Sequence, residues 1–164
     1  SMGLFDKFVN KKTVEGIILG APVSGEIIDI TEVSDPTFAE KILGDGIAIR
    51  PSEGKFYAPC DGTLESLYPT GHAYSISSED GAELLVHIGI NTVELKGKHY
   101  SVHAKQGQKV RKGDLLVEVD LDVVRGDGYD VVTPMIIMNS GDYSKMNKAS
   151  GEVRALENVL TLIK

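Results

Sequence analysis

Two histidines define the chemistry open to this chain. His72 and His87 lie in two apolar, strand-like segments, His72-Ala73-Tyr74-Ser75-Ile76 and Ala82-Glu83-Leu84-Leu85-Val86-His87-Ile88-Gly89-Ile90, separated by Ser77-Ser78-Glu79-Asp80-Gly81. If Asp80-Gly81 is a two-residue hairpin turn, Tyr74 faces His87 and His72 faces Gly89. Both imidazoles then share one face as diagonal neighbours, with Cβ atoms roughly 7 to 8 Å apart. Gly89, without a side chain, would leave open space beside them. A register shifted by one residue would put the rings on opposite faces, so this expectation requires an even-length loop. Imidazole has a pKa of about 6.5, so a neutral ring nitrogen can attack phosphorus near neutral pH. A second imidazole alongside can stabilise the negative charge that develops.

The same two rings could begin a zinc site at His72 and His87, but the chain supplies no evident further ligands, so no metal is obligatory. No cysteine lies nearby, and Glu40 would reach the pair only if its helix folded back over it. His99 and His103 have a helical ligand spacing but precede a glycine-rich turn and read as surface residues. There is no Gly-x-x-x-x-Gly-Lys-[Ser/Thr] loop, and the glycines around Gly44-Asp45-Gly46 read as turns. No cofactor is expected.

The elements that position the pair follow from composition. The chain has 164 residues, 41% of them hydrophobic, which suits one domain with a real core. Eighteen glycines, four Asp-Gly pairs and many short Val/Ile/Leu runs point to short strands and tight turns, hence an all-β fold. Strands are expected at 17–19, 25–30, 47–51, 55–58, 62–67, 115–120 and 131–137, besides the two histidine segments. One helix is expected from Asp35, a cap, through Pro36 to a stop at Gly44. The segment Ala21-Pro22-Val23-Ser24-Gly25-Glu26-Ile27 is echoed by Ala58-Pro59-Cys60-Asp61-Gly62-Thr63-Leu64, a weak internal repeat. Gly107 to Leu116 resembles the turn-and-strand element of biotinyl and lipoyl domains. Together these features suggest a β-sandwich or barrel-sandwich hybrid, a duplicated hybrid motif with short helical turns.

The net charge of −7 argues against a nucleic-acid partner and for a basic protein partner. The single cysteine, Cys60, excludes an internal disulfide and fits a reducing cytoplasm. No run is long enough to cross a membrane as a helix. Residues 1–16 read as a tail, with Ser1-Met2 as a cloning scar and the start at Gly3 leaning towards a free-standing protein. The remainder, 17–164, reads as one domain. Leu4, Phe5, Phe8 and Val9 beside Lys7, Lys11 and Lys12 suggest a surface anchor, and so peripheral association with the inner face of the membrane.

Three segments carry a family resemblance: Phe38 to Ile49 (FAEKILGDGIAI), Thr70 to Tyr74 (TGHAY) and Val86 to Gly97 (VHIGINTVELKG). From about Ile17 to the C-terminus the chain resembles the glucose-type enzyme IIA domain of the bacterial sugar phosphotransferase system. The resemblance implies a phosphocarrier in which His87 is phosphorylated, His72 assists, and Thr70 orients His72 from the same strand face. Its implied donor is the histidine-containing phosphocarrier protein, and its acceptor is a cysteine on the enzyme IIB domain of a sugar permease. Asp35 and Phe38 match the family's partner interface. Asn91 stands where the family usually has aspartate, which removes one charge from that surface. Tyr74 and Leu85, each two residues from a histidine, would wall the site with apolar surface. The alternative is a regulatory binding protein whose choice among target proteins is switched by histidine phosphorylation. A swinging-arm carrier lacks a convincing lysine motif around Lys145, and a zinc peptidase of related fold lacks its His-x-His pair.

Overall fold

The computed structural model describes residues 16–164, and among them it contains fourteen strands, every pairing antiparallel. Eight form one sheet in the order β13 (Gly151–Val153), β2 (Gly25–Asp29), β3 (Asp45–Pro51), β11 (Thr133–Ile137), β7 (Glu83–His87), β6 (Ala73–Ser78), β5 (Gly62–Leu67) and β9 (Lys109–Val110). One three-stranded sheet is β1 (Ile17–Gly20), β14 (Asn158–Ile163) and β12 (Lys145–Lys148); the other is β4 (Lys55–Tyr57), β10 (Leu115–Val119) and β8 (Tyr100–Val102). The all-β sandwich expectation therefore holds. The apolar stripe Leu4 to Val9, and the expected tail apart from Gly16, lie outside the described residues.

Period-two alternation makes the large sheet apolar on both faces. Ile47 and Ile49, Leu84 and Val86, and Met135 and Ile137 enter the main core with Leu19, Phe56, Leu116 and Leu160 from the small sheets. The residues between them, Ala48, Leu85 and Ile136, point the other way, into a second cluster with Ile30, Val33, Phe38, Ile90 and Val132. Each fully buried Ile or Leu contributes about 1.5–3 kcal/mol, so both faces are held firmly.

The internal repeat is a physical duplication. Gly20 N donates to Pro59 O at 3.0 Å and Tyr57 N donates to Pro22 O at 2.8 Å, so the two Ala-Pro segments lie reciprocally against each other. Ala58 also pairs with a tight turn, Arg111-Lys112-Gly113-Asp114, and Ala21 pairs with Arg154-Ala155-Leu156-Glu157 in the same way. In each turn the acid bonds back to the arginine amide, Asp114 to Arg111 N at 2.9 Å and Glu157 to Arg154 N at 2.6 Å. Gly113 and Leu156 both take a positive φ, at 98° and 75°.

Two helices differ from expectation. α1 (Pro36–Ala39) has the expected Asp35 cap, but Lys41 takes a φ of 58°, so the helix ends after one turn, short of Gly44. α2 (Leu121–Gly126) begins where the strand was expected to end, because Asp120 accepts from Val123 N and caps it. The strands β8, β12, β13 and β14 were also unanticipated. β12 and β13 are mostly exposed sheet edges, β8 is short, and β14, although apolar and central in its sheet, went unread. None of the four Asp-Gly pairs forms a two-residue hairpin loop: Asp45 and Gly62 open strands, Asp127 ends α2, and Asp80-Gly81 belongs to a longer loop.

Candidate active site

His87 closes β7 on the face that carries Leu85, above the second apolar cluster. α1 delivers Phe38 to it: Asp35 accepts from Thr37 N at 2.9 Å, Pro36 supplies the first helical φ, and Phe38 projects from that single turn. Phe38 is buried, with its ring centroid 5.1 Å from the His87 ring. His87 Nδ1 lies 2.7 Å from the carbonyl oxygen of Gly89. A carbonyl only accepts, so Nδ1 carries the proton and the neutral ring has its lone pair on Nε2. Burial lowers the His87 pKa from the usual value, against the opposing pull of the Gly89 bond and the Asp35 carboxylate.

His72 lies just outside β6, after Gly71, whose φ of +73° turns the chain. Thr70 Oγ1 is 2.5 Å from His72 Nδ1, and the Tyr68 ring centroid is 5.1 Å from the His72 ring. The imidazoles meet edge to face, with centroids 5.3 Å apart and planes inclined at 74°. Burial, then the nearby His87, push the His72 pKa down to about 4.

The two rings come together by a different route from the one expected. Ala73, not Tyr74, stands opposite His87, and the loop Glu79-Asp80-Gly81 has three residues, with Ser78 N bonded to Ala82 O and Gly81 at a φ of +105°. In that register strict alternation would send His72 to the opposite face. His72 instead lies in the bend after Gly71, beyond the strand, so alternation no longer sets its direction. Nor does Gly89 leave a gap: with φ at +86°, a Cβ there would come within 2.5 Å of Thr92 Cγ2. Tyr74 is not a wall of the site, being buried in the main core with its hydroxyl donating to Tyr57 O at 2.9 Å. Thr70 belongs to the turn before β6 rather than to a strand face.

Leu85 packs beside the second cluster, Asp35 is half-buried at the α1 cap, and Asn91 is exposed with a φ of 61° before the 3-10 turn Thr92–Leu95. Tyr68 is the neighbour that sequence reasoning missed. It follows β5 outside any periodic pattern, and its position four residues before His72 was the only available signal. His99 and His103 are indeed near the surface, with Nε2 atoms 3.1 Å from Asp127 and 3.0 Å from Glu118. Among the described residues no group of three or more His, Cys, Asp or Glu is placed to hold a metal ion, so Glu40 does not join the histidine pair. No helix among them is long and apolar enough to cross a membrane.

Comparison with known proteins identifies the family of the chain. The profile of the phosphoenolpyruvate-dependent sugar phosphotransferase system EIIA 1 family matches residues 17–143. The chain is 44% identical over 165 residues to the PTS system glucose-specific EIIA component of Haemophilus influenzae, covering 99% of each. It is 46% identical to part of the beta-glucoside-specific EIIBCA component of Dickeya chrysanthemi, covering 89% of this chain and 23% of that protein. Glucose permease IIA from Mycoplasma capricolum superposes with a TM-score of 0.85 at 38% identity, covering 90% of this chain and 96% of that one. With its antiparallel sandwich and this match over most of its length, the chain belongs to the EIIA 1 family of the phosphoenolpyruvate-dependent sugar phosphotransferase system.

Proposed function

We propose that His87 is the phosphorylated residue of a cytoplasmic phosphocarrier. It takes phosphate from the phosphohistidine of the histidine-containing phosphocarrier protein and gives it to a cysteine of an enzyme IIB domain. The observation that carries this reading is the Gly89 carbonyl on His87 Nδ1, which leaves Nε2 as the free nucleophile. The Nε2 lone pair attacks phosphorus while the donor's P–N bond breaks and its electron pair returns to the donor imidazole. In the onward step a cysteine thiolate attacks phosphorus, the Nε2–P bond breaks, and His87 regains its lone pair. No proton needs to move on His87, since Nδ1–H is retained throughout.

His72 complements this arrangement. When the Thr70 hydroxyl donates to Nδ1, the neutral His72 ring carries its proton on Nε2 and can donate to a phosphoryl oxygen. Positioning and charge stabilisation suffice for in-line transfer between two docked proteins. The partner's approach is served by Asp35, Leu85 and Asn91, which lie around His87 or on the loops that flank it, while Phe38, expected at that surface, is buried beneath His87 and supports it from below. The EIIBCA relative, whose name joins A with B and C in one protein, supports a IIB acceptor. Incubation with phosphoenolpyruvate and the general phosphotransferase proteins should give an acid-labile, base-stable phosphate on His87. Absence of that label, with the general proteins active towards a known acceptor, would refute the reading.

A further inference from the structure

Just beyond β7, the two peptide groups of Ile88 connect both histidines. Its N–H donates to the carbonyl of His72 at 2.6 Å. Its carbonyl accepts two hydroxyls, Thr92 Oγ1 at 2.7 Å and Tyr100 Oη at 2.9 Å. The other end of the Ile88–Gly89 peptide is also held, because Gly89 N donates to Val132 O at 3.1 Å. Rotation about the next two bonds then sets the direction of the Gly89 carbonyl, the group that holds His87 Nδ1.

Tyr100 and Thr92 add packing to these bonds. Tyr100 Cβ lies 3.2 Å from the point a Gly71 Cβ would occupy, so it braces the bend that carries His72. Thr92, 1% exposed, has its methyl group against Gly89. We propose that Tyr100, together with Thr92, is a positioning pair that holds both imidazoles in register through Ile88. The idea rests on the phosphocarrier reading for its consequence but not for its geometry. Tyr100 opens β8, so a residue of a small sheet steadies a site built on the large one.

The test uses the full chain with Tyr100→Phe, Thr92→Val and Thr92→Ser. Thr92→Val removes a hydroxyl and keeps the shape, whereas Thr92→Ser keeps the hydroxyl. Nitrogen-15 spectra of the imidazoles report the His87 tautomer and the exchange rate of its Nδ1 proton, and transfer kinetics report kcat and KM for the phosphorylated donor. Tyr100→Phe and Thr92→Val should each speed Nδ1 proton exchange and lower kcat about fivefold, the worth of one hydrogen bond, with KM unchanged. Thr92→Ser, which keeps the hydroxyl and loses the methyl, should fall between Thr92→Val and the unaltered chain in both. Variants that keep the wild-type exchange rate and tautomer while folded, as judged by amide spectra, would overturn the proposal, as would a lowered Tm with no change at His87. If the unaltered chain accepts no phosphate, the phosphocarrier reading fails, yet the imidazole spectra still decide whether the pair positions His87.

Discussion

The ring of Phe38 stands 5.1 Å, centroid to centroid, from the ring of His87, tilted by 53°, so the proposed nucleophile rests on a hydrocarbon face. That face helps desolvate the imidazole and keep it neutral. Phe38→Ala should cost about 3–5 kcal/mol of stability, the usual loss for a buried phenylalanine. It should also raise the His87 pKa towards its ordinary value. Chemical denaturation and an NMR titration of the ring would measure the two effects, and a variant with wild-type stability would contradict the burial of Phe38.

Replacing His87 with alanine should abolish stable phosphate labelling. His72→Gln should leave acceptance measurable and slow onward transfer by about a hundredfold, the scale of one lost proton-donating group. Radiolabel transfer from the donor protein and then to a IIB domain separates the two steps. Label retained on the His87→Ala chain would end the assignment.

Acid should act in two ways, both following from depressed histidine pKa values. Neutral His87 is required for attack, so acceptance should stay level as pH falls through 6.5 and decline only below that. Stability has the same sign: the unfolded chain takes up protons on these rings at about 6.5, before the folded chain does, so acidification favours unfolding. For His72 the loss should begin near the unfolded value and level off below the folded value of about 4. Denaturant midpoints measured between pH 7 and pH 4, for the wild-type chain and His72→Gln, should show a smaller decline in the variant.

Thr70→Val should remove the hydroxyl from His72 Nδ1 and cost about 1 kcal/mol in the step that depends on His72, whereas Thr70→Ser should restore it. Onward transfer is the rate to compare. Equal rates for the valine and serine variants would show that the Thr70 contact is incidental.

At Asn91 the left-handed backbone suits asparagine and aspartate alike, so Asn91→Asp should fold normally. The added surface charge should tighten binding of a basic partner by about 0.2–1 kcal/mol and make it more sensitive to salt. Calorimetry with the donor protein at two ionic strengths would show this.

The sequence alone determined the class of fold, most strand positions and which two histidines share the candidate site. These are legible because period-two apolar runs and glycine turns are local, and because the TGHAY and VHIGI motifs carry their chemistry in consecutive residues. Asp35 likewise identified itself as a cap, since capping involves only its own turn.

What only the tertiary structure decided is how the rings meet. The hairpin loop has three residues rather than two, and alternation would have separated His72 from His87 had His72 remained in the strand. A bend at Gly71, braced by Tyr100 and Val102 of a different sheet, turns it back. The same holds for Gly89, where Thr92 fills the expected gap, and for Tyr68 and Tyr100, which reach the site from outside any periodic pattern. Such contacts depend on how the turns bend and, for Tyr100 and Val102, on a strand of another sheet packing against them, and spacing along one strand carries no information about either.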